Sequence, residues 1–259
     1  MRVLRLAEPR APWIPAPAHT LAPGEADVWL FKPSSPDAVE AAERLSEEER
    51  ARAERLRRPE HRLRFSAVRG TVRTILSRYL DVDPLEVPIV YGPQGKPHVS
   101  PRAESEIRFN VSHSGALAAV AVTLHDEVGV DVELRVPRPR LPALADAMLA
   151  PPERAWFERL SGGERTRAFF DLWSAKEACS KLIGRGLTMP FNAVTLATPE
   201  AEVSEVRVDH ASARQAPCFV RRLPVDAGYS GALAVEVVAA PRRRIATEAG
   251  CPAGKEDGD

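Results

Sequence analysis

Apolar residues alternate with polar ones through IRFNVSHSG, where Ile107, Phe109 and Val111 share one side, the period of a half-buried strand. ALAAVAVTL follows as an apolar run of strand length, and VGVDVEL (Val128 to Leu134) follows that. ADVWLF (Ala26 to Phe31) predicts a first strand. LSEEERARAERLRR predicts a charged helix with Ser46 as N-cap and Glu49 closing a capping box, stopped by Pro59. From His61 to Leu80 the apolar spacing turns helical, through Leu63, Val68, Val72, Ile75, Leu76 and Leu80.

The second half opens with a helix in MLAPPERAWFERL, with Pro152 in its first turn. A long helix in ERTRAFFDLWSAKEACSKLIGRG follows, ended by Gly184 and Gly186. AVTLAT, CFVRRL and GYSGALAVEVVA are β segments. LSGGER, from Leu160, reads as a bend between helices made by Ser161 and its glycines. The Pro/Ala-rich opening to Gly24 and the tail from Pro241 lack a hydrophobic period and are expected to be extended or disordered.

HSGALAAVAV (from His113) resembles YSGALAVEVV (from Tyr229), and each follows a helix and a β segment. The expected architecture is therefore α+β: two similar α+β halves packed as a pseudo-dimer, with a ligand cleft between them. The boundaries that follow are a 1–24 leader, a 25–126 half, a 127–240 half and a 241–259 tail.

At 259 residues and 44% hydrophobic side chains the chain can bury one large core or two smaller ones. Lys plus Arg and Asp plus Glu are 36 each, so the overall charge supplies no case for nucleic acid or an anionic membrane. The three cysteines show no zinc or disulfide spacing, and no segment has the form of a signal peptide or membrane span. A cytoplasmic protein is expected.

Along VGVDVEL, Gly129, Asp131 and Glu133 point one way and the valines the other. Taken alone, the two acids fit a solvated strand face. They also fit a hard cation such as Mg2+, which shares oxygen ligands with substrate phosphates. Glu177 offers a third carboxylate, on a helical line with Phe170, Trp173 and Lys181. An ordinary Glu–Lys surface pair explains that spacing too. The composition speaks against it: only Lys32, Lys96, Lys176, Lys181 and Lys255 are lysines among the 36 basic residues, and two of them flank Glu177. A compact ammonium suits a phosphate as a point charge. His113, with Ser112, Ser114 and Gly115, forms a polar corner that suits either a structural histidine or a phosphate or nucleotide edge. No spacing indicates a covalent nucleophile. LSGGER, GPQGKP and VAVTLHDE fail as an ATPase set, because Pro97 follows Lys96 where a P-loop needs Ser or Thr.

GKP at Gly95, FNVSHSG at Phe109, GVDVE at Gly129 and WSAKEACSKLIGRGL at Trp173, in that order, resemble the signature blocks of 4'-phosphopantetheinyl transferases of the pseudo-dimeric Sfp type. The resemblance runs from about Ala26 to about Ala240. It implies an Mg2+-dependent enzyme that moves the phosphopantetheine arm of coenzyme A to a serine of an apo acyl or peptidyl carrier protein, releasing adenosine 3',5'-bisphosphate. It implies a monomer, with neither nucleic acid nor membrane as partner.

By the same resemblance Asp131, Glu133 and Glu177 hold Mg2+, Glu177 is the base for the carrier serine, and Lys181 stabilises the leaving phosphate. Lys176 contacts the pyrophosphate or nucleotide. Lys96, Ser112 and His113 grip nucleotide and phosphates, and Arg52 and Arg64 lie near the 3'-phosphate. Arg52 stands where the family has Lys. Glu153 resembles an acid near the metal. The competing reading is a catalytically idle module that binds coenzyme A or carrier proteins, in which loss of a metal carboxylate is expected; all three are present.

Overall fold

The computed structural model describes residues 2–5 (backbone alone), 21–92, 95–184, 189–209 and 218–236. The readings made for the 6–20 stretch, for Gly186 and for the tail lie outside the described residues.

Two sheets and two long helices build the molecule. β1 (Arg2–Arg5), β2 (Ala26–Phe31), β6 (Leu117–Leu124) and β5 (Ile107–Ser114) lie side by side in that order. The second sheet runs β7 (Val128–Leu134), β11 (Tyr229–Glu236), β10 (Cys218–Arg222), β9 (Val203–Val208), β8 (Val194–Leu196). A hairpin of β3 (Ile89–Tyr91) and β4 (Pro97–Val99) stands apart. The helices are α1 (Pro36–Ala41), α2 (Glu47–Glu54), α3 (Pro59–Leu80), α4 (Leu141–Met148), α5 (Pro151–Phe157) and α6 (Gly162–Ile183).

Of the opening expected to be extended or disordered, Arg2 to Arg5 are extended and pair in parallel with Asp27 to Leu30. Backbone pairing with β2 orders a segment too short to carry a period of its own. Pro59 begins α3 instead of ending α2, because its fixed φ suits a first helical turn. Gly162 and Gly163 are already the first residues of α6, so the bend at LSGGER lies N-terminal to them. The capping box of Ser46 and Glu49 is present in both directions, and Gly184, at φ 79°, ends α6 in the left-handed conformation glycine adopts without strain.

Among the described residues three apolar cores result. One lies between α3 and the first sheet, around Trp29, Phe31, Val72, Ile75, Leu76 and Phe109. A second lies between α6 and the second sheet, around Phe157, Phe169, Phe170, Leu172 and Val220. In the third the halves meet: Val28 and Leu30 of β2 pack with Val128, Val130 and Val132 of β7. The valines of VGVDVEL therefore hold the two halves together, and the acids between them turn toward α6. Gly129 makes that approach possible, since a Cβ there would lie 2.0 Å from the carbonyl oxygen of Ala178.

The seam has a second component. Asn110, Ser112 and Ser114, on one side of β5, accept hydrogen bonds from the backbone N–H groups of Val130 (2.9 Å), Val132 (3.3 Å) and Leu134 (3.1 Å). Side-chain oxygens thus satisfy a strand edge that would otherwise bury unpaired donors. Among the described residues, no helix is long and apolar enough to cross a membrane.

Candidate active site

β5, β7 and α6 bring one group of side chains together. Asp131 is 3% exposed and receives hydrogen bonds from the Ser112 hydroxyl (2.8 Å) and the Lys181 ammonium (2.7 Å), both on Oδ1. Lys181 also donates to Ser112 Oγ (2.9 Å) and to the Val130 carbonyl (3.1 Å), which saturates its three protons. Ser112 accepts from Lys181 and Val132 while donating to Asp131, so its hydroxyl is saturated as well. It is brought to the acids and holds Asp131; it is not left open toward a nucleotide. Ser114 does the same one step along, donating to Glu133 Oε2 at 2.9 Å.

Asp131 Oδ2 is buried and has no hydrogen-bond partner among the described residues. Burial raises the Asp131 pKa more than Lys181 and Ser112 lower it. Burial, then the charge of Asp131, raises that of Glu133. Glu177, 9% exposed, is pushed up to about 7 by burial and by Asp131, with Glu133 adding to the push and Lys181 opposing it. Three carboxylates thus act on one another around a single ammonium. Such a nest is short of positive charge, and a carboxylate oxygen with no partner is what a hard cation takes up. Among the described residues no three His, Cys, Asp or Glu side chains are close enough to hold an ion by themselves. The acids offer oxygen ligands, the donor type that fits Mg2+ shared with substrate oxygens.

Lys96 reaches this neighbourhood from the β3–β4 hairpin. Its ammonium donates to the carbonyl of Lys181 (3.0 Å), at the negative end of the α6 dipole, and to Glu127 (3.3 Å). His113 lies at the end of the β5 row that faces α3, and its pKa is lowered by burial and by the charges of Arg64, Lys181 and Arg69. Arg52, on α2, lies over the rings of Phe65 and Tyr91, each at 5.5 Å.

Lys176 is not brought to Asp131, a correction to its expected pyrophosphate contact. It is 0% exposed and donates to Glu153 (2.6 Å) and to the carbonyls of Phe191 and Val194. Glu153 is equally buried and also accepts from the backbone of Ala150 and Leu196. Both are removed from the metal acids because Lys176 and Glu177 are neighbours on a helix, about 100° apart around its axis. Asn110 lies in the same row as Ser112 and Ser114 and is missed by a reading that follows the His113 row. Its signal is the second period-two row of FNVSHS, opposite the apolar one.

Comparison with known proteins shows the family. Residues 127–234 match the 4'-phosphopantetheinyl transferase superfamily, and residues 29–125 match the 4'-phosphopantetheinyl transferase N-terminal family. The chain belongs to the 4'-phosphopantetheinyl transferases. It is 38% identical over 179 residues to the 4'-phosphopantetheinyl transferase HetI of Nostoc sp., covering 68% of this chain and 76% of HetI. It is 28% identical over 163 residues to the 4'-phosphopantetheinyl transferase Sfp of Bacillus subtilis, covering 62% of this chain and 69% of Sfp. A solved holo-(acyl-carrier-protein) synthase from Bacillus anthracis, in complex with CoA (3',5'-ADP), matches 42% of this chain and 94% of its own at 19% identity and a TM-score of 0.37.

Proposed function

We propose that this protein transfers the 4'-phosphopantetheine arm of coenzyme A to a serine of an apo acyl or peptidyl carrier protein, using Mg2+. The observation that carries the reading is the carboxylate set of Asp131, Glu133 and Glu177, with its unpartnered oxygen, in a member of this family. Asp131, Glu133 and Glu177 would hold the ion. Bound there, Mg2+ would neutralise charge on the pyrophosphate oxygens as phosphoryl transfer proceeds.

The chain's own groups do the rest. Ser112, Ser114 and Lys181 fix two of the carboxylates before any substrate arrives, so little reorganisation is needed. Glu177, held near neutral pH, is the carboxylate suited to take the serine proton, directly or through a water. The serine oxygen bonds to the phosphorus that bears the pantetheine arm. The bond to the bridging oxygen breaks, and adenosine 3',5'-bisphosphate leaves with the electron pair. Lys181, with its protons held by Asp131, Ser112 and Val130, would stabilise the leaving phosphate by its charge acting through space, and Lys96 would add positive charge nearby. His113, Arg64 and Arg52 form the basic wall that would receive the nucleotide and its 3'-phosphate. One chain supplies both walls of the cleft, in keeping with action as a monomer.

Incubation with coenzyme A, Mg2+ and a panel of diverse apo carriers should give carriers heavier by one phosphopantetheine, read by mass spectrometry. Addition of EDTA should stop the gain, and restored Mg2+ should return it. Coenzyme A binding with no gain on any carrier would instead identify an idle binding module.

A further inference from the structure

Tyr229, at the start of β11, belongs to the second half, but its hydroxyl meets the first. The phenol oxygen accepts a hydrogen bond from the backbone N–H of Ala116 at 2.8 Å. Gly115 and Ala116 form the two-residue turn between β5 and β6, and Gly115, at φ 57°, supplies the positive φ that a tight hairpin turn takes at its first position. A Cβ on Gly115 would lie 2.7 Å from the Tyr229 oxygen and 3.0 Å from Cδ2 of Leu134, so the turn is seated against both side chains.

The phenol stands on a fixed base. Tyr229 pairs with Leu134 across β11 and β7, its N–H donates to the Asp226 carbonyl at 3.1 Å, and its own carbonyl accepts from the Arg135 guanidinium. Its ring packs against the core where the halves meet. On the other side of the contact, the residue before Gly115 is Ser114, whose hydroxyl donates to Glu133 at 2.9 Å and accepts from the N–H of Leu134 at 3.1 Å. Ser114 belongs to the last pair of its hairpin, with Leu117, so its position follows that of the turn. Lys181 and Ser112 both bond to Asp131, whereas Glu133 has Ser114 as its hydrogen-bond donor among the described residues. The row of Asn110, Ser112 and Ser114 thus reaches from the first half to β7, and Tyr229 reaches back to the turn in which that row ends.

We infer that Tyr229 is a positioning residue: by way of the Ala116 N–H it seats the β5–β6 turn, and by way of Ser114 it holds the Glu133 carboxylate where it would serve Mg2+. The metal role rests on the transferase reading, and the seating of the turn can be measured apart from it. Tyr229→Phe keeps the ring and removes the acceptor; the Ala116 N–H lies at the surface, so water can replace the lost partner and the fold should persist. In amide hydrogen exchange read by NMR on the full chain, without metal or substrate, this variant should speed exchange at Ala116 and Leu134 by about 3- to 10-fold. Val130, bonded to Asn110 at the far end of the row, should stay within about twofold. Gly115→Ala should speed the same two amides, and it should add less in the Tyr229→Phe background, where the oxygen that its Cβ meets is gone.

With coenzyme A and an apo carrier, Tyr229→Phe should raise the Mg2+ concentration for half-maximal transfer by about 3- to 10-fold, and excess Mg2+ should return most of the rate. A mere loss of folded protein would lower the rate by one factor at every Mg2+ concentration. Unchanged exchange at Ala116 and Leu134 in Tyr229→Phe would overturn the assignment, as would equal acceleration at Val130 or an unmoved Mg2+ dependence. If those two amides loosen as expected while the wild type adds no mass to any carrier, the seating of the turn stands and the transferase reading fails.

Discussion

The two halves use one frame for opposite ends. In each, a 22-residue helix lies on a sheet, and a cation at the same position of that helix, Arg73 counted from Pro59 and Lys176 from Gly162, is buried against a glutamate at the third position of a preceding short helix. Glu49 and Glu153 also receive the backbone N–H at the start of their own helices. Along the strand beneath, the first half places Asp27, Trp29 and Phe31, whereas the second places Gly129, Asp131 and Glu133. Arg78 lies over the Trp29 ring at 5.4 Å; Lys181, its counterpart, donates to Asp131 at 2.7 Å. Thr74 stands in α3 where Glu177 stands in α6 and donates to its own helix, to the Gly70 carbonyl. At the two places where the second half has Asp131 and Glu177, the first half has the ring of Trp29 and the hydroxyl of Thr74.

Exchange of the two kinds of residue should break the comparison most visibly at the acids. If the proposed Mg2+ site holds, Asp131→Ala and Glu177→Gln should each lower transfer by at least about 10³-fold, by carrier mass assay, because each removes a ligand to the ion. Glu177→Gln should not lower Tm, since relief of buried like charge offsets the lost contacts, whereas Asp131→Ala should lower it by leaving Lys181 and Ser112 without their acceptor. Trp29→Ala, at the matching place, should cost about 3–5 kcal/mol in denaturant unfolding while the protein still folded keeps its turnover. Retained turnover in Asp131→Ala would return its strand to a purely structural account.

The buried pairs come next. Removal of one partner by Lys176→Ala or Arg73→Ala should cost about 3–5 kcal/mol, because Glu153 or Glu49 is left charged in the interior. If Lys176 acted on phosphate, its variant would lose kcat/KM beyond what unfolding explains; the burial of its ammonium predicts no such excess. Ser112→Ala should be milder. The loss of its bonds to Asp131, Val132 and Lys181 should cost about 1–2 kcal/mol and slow transfer by about tenfold, as the acid loses its anchor.

The smallest effect concerns His113. Its pKa lies below the usual histidine value because burial and the surrounding cations disfavour the imidazolium. A phosphate dianion beside it would favour that form and raise the pKa, so binding takes up a proton and tightens as pH falls between the free and bound values. NMR titration of the imidazole with and without adenosine 3',5'-bisphosphate should show the upward shift, with a few-fold gain in affinity from pH 7.5 to pH 6. An unmoved imidazole would place the phosphate elsewhere on the wall.

Where local chemistry decides an element, the chain could be read directly. The Ser46 capping box, the strand VGVDVEL, the Gly184 stop and the alternation that turns the valines one way and the acids the other depend on near neighbours alone. The motif order identified the family for the same reason, since short blocks carry their chemistry in adjacent residues. Only the tertiary structure could decide that Lys176 and Lys181, alike in sequence and flanking one glutamate, go to different places, one into the core against Glu153 and one to Asp131. It alone could show that Asn110, Ser112 and Ser114 seal a seam between the halves, and that Arg69 meets Arg52 across two rings. Each of these depends on a contact between residues distant in the chain, and periodicity within one segment holds no information about what lies across from it.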